Sequence, residues 1–121
     1  MTADIEWAGD VDSAAALPFV TDVAGFDALA RQAMRDDDAD LVRDYLDFDG
    51  AEDMLRAVFG TGDVGTGTFL AAMRLVRVGL HPQDPGAAAV FDYALGRDLT
   101  DHVVAVTFDG TGRVRGVAVE S

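Results

Sequence analysis

The end of the chain constrains its fold more than any other stretch. Residues 101–108 read Asp-His-Val-Val-Ala-Val-Thr-Phe, residues 109–112 Asp-Gly-Thr-Gly, and residues 113–119 Arg-Val-Arg-Gly-Val-Ala-Val. Two runs rich in Val and Phe around a short turn that closes on Gly specify a β-hairpin. The turn chemistry puts Asp109 at the start of a type I turn and Gly112 in the left-handed conformation that follows it. This predicts a register with Asp109 opposite Arg113, Phe108 opposite Val114, Thr107 opposite Arg115 and Val104 opposite Ala118. One face then carries Val104, Val106, Phe108, Val114 and Ala118, and the other Thr107, Asp109, Arg113 and Arg115. A hairpin with one apolar face has to bury it, so the chain contains a sheet with a covered side.

Upstream, the pattern changes twice. Ile5 to Ala8 and Leu17 to Val20 read as two short N-terminal strands around the loop at Gly9-Asp-Val-Asp-Ser13, although Ala14-Ala15-Ala16 is equally able to start a helix. Helical spacing then dominates. Gly25-Phe26-Asp27 opens a helix through about Met34, with Phe26, Leu29, Ala30 and Ala33 on one side. Asp36-Asp37-Asp38-Ala39-Asp40 interrupts it, Leu41, Val42, Tyr45 and Leu46 stripe a second helix that Asp49-Gly50 ends, and Glu52 to Phe59 form a third. Gly60 to Gly67 reads as a surface loop, followed by a short helix from Thr68 to Met73. Leu75 to Leu80 and Ala88 to Leu95 read as strands on either side of the Pro82-Gln-Asp-Pro-Gly86 loop, and a turn at Gly96-Arg97-Asp98 leads into the hairpin. The predicted fold is one α+β domain over residues 1–121. It has a four-stranded antiparallel C-terminal meander, N-terminal strands, and three to four helices inserted between them and packed on one face.

A chain of 121 residues is long enough to bury such a core without staples. Half of it is apolar, which excludes a fully disordered chain. It has no Cys, so disulfides, thiolate metal sites and a Cys nucleophile are excluded. No stretch approaches the roughly 18 apolar residues of a membrane helix, and no basic-then-apolar leader is visible. A cytoplasmic protein is the expectation. Nineteen Asp and three Glu against nine Arg and no Lys give a formal charge of −13. That charge disfavours nucleic acid and anionic membranes and favours a basic protein partner, with association accelerated at low salt. A composition rich in Arg, Ala, Gly, Val and Asp without Lys is also what a high-GC genome or adaptation to salt produces. Homo-oligomerisation is left open.

One resemblance is carried by Phe69-Leu70, Leu75-Val76-Arg77-Val78-Gly79-Leu80, Val90-Phe91-Asp92-Tyr93, Leu99-Thr100-Asp101-His102-Val103-Val104-Ala105-Val106 and the closing Glu120-Ser121. Over residues 68–121 the chain resembles a family of small bacterial proteins catalogued as a domain of unknown function, some of whose members are labelled predicted lysozyme. The resemblance implies an α-β fold and, through that label, activity on cell-wall glycan. It implies no catalytic residues.

The residues themselves offer little chemistry. Glycan hydrolysis needs two carboxylates at a set separation, one with a raised pKa in an apolar setting. Asp92 and Asp101 are the foremost candidates, with Glu6 and Glu120 behind them. Strand alternation predicts Asp92 to be exposed, opposite in facing to Phe91 and Tyr93, and Asp101 fits a turn or capping role. Asp36, Asp38, Asp40 and Asp47 have the one-three-five-twelve spacing of a calcium loop, but Leu41 stands where the turn needs Gly and Asp47 where it needs Glu. A loop whose Asp38 or Asp40 caps the second helix fits better. His81 and His102 have no metal-site spacing. Ser13 and Ser121 lie outside a nucleophile elbow. The Gly60–Gly67 loop lacks the Lys of a phosphate loop. Tyr45, Phe48, Phe59 and Phe69 are predicted core residues, as is Trp7, whose alternative is a partner-binding surface. No catalytic, cofactor-binding or metal residue is assigned. The sequence points to a non-enzymatic protein-interaction module, with an immunity protein against a basic toxin as a specific case and a glycan hydrolase as the alternative.

Overall fold

The computed structural model describes residues 5–10, 12–14, 16–36, 38–95 and 102–120. In chain order the elements are β1 (Glu6–Gly9), α1 (Leu17–Thr21), α2 (Val23–Asp36), α3 (Asp38–Tyr45), α4 (Ala51–Phe59), α5 (Thr66–Ala72), β2 (Arg74–Leu80), β3 (Ala89–Ala94), β4 (Val103–Phe108) and β5 (Val114–Glu120). The fold is α+β. Its five strands are ordered β1-β2-β3-β4-β5, and β1 runs parallel to β2 while the other neighbours are antiparallel. A parallel pair requires a long crossover, and all five helices lie within that one crossover. Each sends buried side chains into the same core: Phe19, Ala30 and Met34, Leu41 and Tyr45, Met54 and Leu55, Phe69 and Leu70. From the sheet these meet Leu75, Val78, Leu80, Phe91, Tyr93, Val104, Val106 and Phe108. Among the described residues, no helix covers the opposite face.

The expected helices and meander strands are present, with three corrections. Leu17 to Val20 is helix α1, not a second N-terminal strand. Pro18 sits in its first turn, where a missing N–H costs nothing, and Thr21 Oγ1 donates to Leu17 O at 2.9 Å. Pro18 itself argues against a strand here, since proline is poorly suited to a sheet ladder. Second, α3 starts at Asp38 and α5 at Thr66, so part of the aspartate run and of the Gly-rich segment is helical. Asp38 and Asp40, the two residues expected at the cap, both fall within the span of α3.

The third correction is the hairpin register. The turn is as expected, with Gly112 at φ +84° and its N–H donating to Asp109 O at 3.0 Å. Phe108 pairs with Val114, but Thr107 then pairs with Gly116, Val106 with Val117, Ala105 with Ala118 and Val104 with Val119. A β-bulge at Arg115 accounts for the one-residue slip. The slip turns Val117 and Val119 toward the core and Ala118 away from it. Burying two valines in place of one alanine removes more apolar area from water, which favours the bulged register.

An aromatic cluster ties the first helices to the sheet. Phe26 lies edge-on to Phe108 at 5.3 Å, Phe91 to Phe108 at 5.1 Å, and Phe19 lies 4.6 Å from Phe26. A polar tie runs beside it. Tyr93 Oη donates to Asp27 Oδ1 at 2.6 Å, Arg31 Nε binds the same carboxylate, and Arg31 Nη1 reaches Met73 O at 3.0 Å. Burial and the adjacent Asp27 push the Tyr93 hydroxyl far above the ordinary tyrosine range, so it stays a donor. Trp7 departs from its core expectation. It aligns with Val78 on a four-residue edge strand and is 40% exposed. Gly9, at φ +85°, lets β1 close in on β2, for a Cβ there would strike the Leu80 carbonyl.

Candidate functional site

The sheet ends in two unlike edges. β1 is four residues long, whereas β5 is seven and is paired on one side only. Along the far half of β5 runs a groove of about 510 Å³ lined by Asp44, Asp47, His102 and Val117 to Glu120. Its walls come from segments more than fifty residues apart, held together by Tyr45. That side chain is fully buried, its ring sits edge-on to Phe69 at 5.5 Å, and its Oη accepts from Leu95 N at 3.3 Å. Burial raises its hydroxyl above the usual range, so it remains neutral. The Tyr45 carbonyl accepts from His102 Nδ1 at 2.9 Å, and Phe48 lies edge-on to His102 at 5.1 Å. The end of α3 is thereby pinned to the start of β4. Asp44, exposed in the last turn of α3, and Asp47, exposed just after it, stand over the end of β5 as a result.

Three carboxylates, Asp44, Asp47 and Glu120, therefore border an edge strand that presents valines on its helix side. Alternate residues of an edge strand turn N–H and C=O groups away from the sheet. The arrangement can accept an extended segment as a sixth strand, with the acidic rim selecting positive side chains. No spacing in the sequence announced it, because the juxtaposition of Asp44 and Asp47 with Glu120 exists only after folding.

The other candidates fall elsewhere. Asp92 is on the helix-free face, as alternation predicted, but its side chain is only 14% exposed, which corrects the expectation of an open aspartate. Its register partners are Arg77 and Ala105, and Arg77 Nη1 lies 3.6 Å from its carboxylate. Burial raises the Asp92 pKa, Arg77 pulls it down, and Glu120 and Glu6 push it up. Arg77 Nε also reaches Glu6 at 3.4 Å. Glu6, Asp92 and Glu120 thus belong to one neighbourhood that centres on an arginine. Asp101 and Ser121 lie outside the described residues. Ser13 sits in a turn before α1. His81 adjoins the Leu80 end of the sheet and His102 the opposite, Val103 end, so the two histidines are not brought together. Among the described residues no group of three or more metal-type side chains converges. Of the aromatic residues predicted as core, Tyr45 and Phe69 are buried, while Phe48 and Phe59 are half-buried against the cluster. Among the described residues no helix is long and apolar enough to cross a membrane. Comparison with known protein families, with curated proteins and with solved structures finds no match to this chain.

Proposed function

We propose that this chain is a non-enzymatic interaction module that takes up an extended, basic segment of another protein along β5. The observation that carries the reading is the acidic groove itself: an edge strand flanked by Asp44, Asp47 and Glu120. Main-chain pairing supplies affinity in such a mode, and the rim supplies selectivity. The overall charge of −13 steers a positive partner toward the protein at low salt. An immunity protein that covers the basic surface of a toxin is one specific form of this reading.

Fluorescence anisotropy with a labelled peptide of alternating Lys and Val tests it. The peptide is expected to bind at low salt, and to weaken by about tenfold or more as NaCl rises toward molar and screening shortens to about 3 Å. A Glu–Val peptide should not bind, and the double variant Asp44→Lys, Asp47→Lys should lose the Lys–Val peptide. Equal binding of both peptides, or indifference to the charge reversal, would sink the reading.

Hydrolysis of cell-wall glycan is the competing reading, from the resemblance over residues 68–121. Asp92 favours it to a degree, as a shielded carboxyl with a raised pKa near Glu6 and Glu120. Against it, Arg77 stabilises the ionised form that a general acid must avoid. Purified protein is expected not to clear a cell-wall suspension. Clearance that Asp92→Asn or Asp101→Asn abolishes, with folding intact, would establish the hydrolase instead.

A further inference from the structure

We propose that, when no partner occupies it, β5 pairs with β5 of a second copy, antiparallel and two-fold symmetric about Val117, and so closes its own binding edge. The meaning of this as regulation rests on the reading of β5 as the docking strand; the pairing itself rests on how the strand is built. Asp109 N donates to Arg113 O, so Arg113 turns its backbone toward β4. Antiparallel alternation then turns the groups of Val114 outward. The bulge takes Arg115 and Gly116 together as one place, and the alternation continues outward at Val117 and Val119. Counted this way the strand is its own complement. Val117 meets Val117 of the second copy, Val119 meets Val114, Ala118 meets the Arg115–Gly116 bulge, and Glu120 meets Arg113.

Both the faces and the charges agree. Val114, Val117 and Val119 all pack toward the helix side, so the valines of two copies would extend one apolar stripe across the joint. Arg113 and Glu120 are both exposed, and the two-fold axis sets each against its opposite twice per dimer. Opposite charges placed directly across strands are favourable, and like charges are not. A strand with a positive start and a negative end is self-complementary only in the antiparallel sense, which is the sense a two-fold axis imposes. The only term opposing this pairing over distance is the −13 on each copy, and salt removes it. The same edge therefore has two occupants with opposite salt responses. A basic segment is held best at low salt, and a second copy at raised salt.

Sedimentation velocity on the full chain, from low to molar NaCl, tests this. A shift from the 12.8 kDa monomer toward twice that mass is expected as salt rises. At about 0.3 M NaCl, where screening reaches only about 6 Å, Arg113→Glu alone or Glu120→Arg alone should weaken the dimer by about tenfold, and the double variant should restore it. Val117→Pro removes an outward N–H at the axis, a change an edge strand tolerates, and should leave a folded monomer. A protein that stays monomeric at every salt, or a dimer indifferent to Val117→Pro and to the charge swaps, overturns the proposal. Failure here is separable from failure of the docking reading. Lys–Val peptide binding by a protein that never dimerises removes only the self-pairing. A salt-induced dimer of a protein that never binds the Lys–Val peptide at low salt removes only the docking.

Discussion

The two faces of the sheet are made by the same strands and obey different rules. On the covered face Val78, Phe91, Tyr93, Val104, Val106 and Phe108 are all fully buried, and five helices close over them. On the other, Gly79, Val90, Asp92, Ala105, Thr107 and Ala118 present small or polar side chains, and an ionic cluster is built around Arg77. Large side chains line the face that the crossover covers. Small ones line the face that no described helix covers, where a bulky apolar residue would remain wet. The difference teaches where stability resides and where charge is tolerated.

The largest effect should come from neighbours on opposite faces. Phe108→Ala removes a ring that touches Phe19, Phe26 and Phe91 and should cost about 3–5 kcal/mol in chemical denaturation. Thr107→Ala, one residue away on the other face, should cost under about 0.5 kcal/mol. Similar losses at the two positions would break the comparison.

Next comes the polar tie on the covered side. Tyr93→Phe keeps the ring and removes the hydroxyl that donates to Asp27, a bond to a charged group worth about 1.5–3 kcal/mol. A double-mutant cycle with Asp27→Asn should show strong coupling, whereas additive losses would mean that the tie contributes nothing of its own. Salt acts only on exposed charge. Its effect is expected to be smaller: a melting temperature that rises by a few degrees between low and molar NaCl as self-repulsion among the −13 is screened. A flat or falling midpoint would remove repulsion as a factor.

The smallest effect distinguishes two aspartates by sign. Burial raises the Asp92 pKa, so the protonated form stabilises the fold; that contribution is present in acid and lost as pH rises through its folded pKa. Asp92→Asn should therefore match wild type at low pH and exceed it near neutrality by under about 1 kcal/mol. Asp109, in the hairpin turn, is the reverse. Hydrogen bonds from the Thr111 hydroxyl and the Arg113 N–H hold its carboxyl below the usual value. Its contribution is present above the ordinary aspartate range and lost as pH falls, so Asp109→Asn should be destabilised at neutral pH and converge on wild type in acid. Denaturation midpoints across pH that diverge in the same direction for both variants would contradict these assignments.

The hairpin, its turn at Asp109 to Gly112, the helices that follow Gly25 and the two strands before the hairpin were all determined by the sequence alone. Their causes are local: side-chain periodicity, Gly where φ must be positive, and turn residues between apolar runs. Pro18 held a local clue to α1 as well. What only the tertiary structure decided has no local cause. The parallel placement of β1 follows from where the crossover returns. The bulge at Arg115 follows from which register buries more valine against helices some eighty residues earlier. Asp92 is shielded because β2 happens to bring Arg77 alongside it. Trp7 stays partly exposed because its strand is an edge. The acidic groove exists because Tyr45 pins the end of α3 to the start of β4, which sets Asp44 and Asp47 beside Glu120. Each of these depends on which distant surfaces meet, and the free energy that selects among such meetings is a property of the assembled core, not of any window of residues.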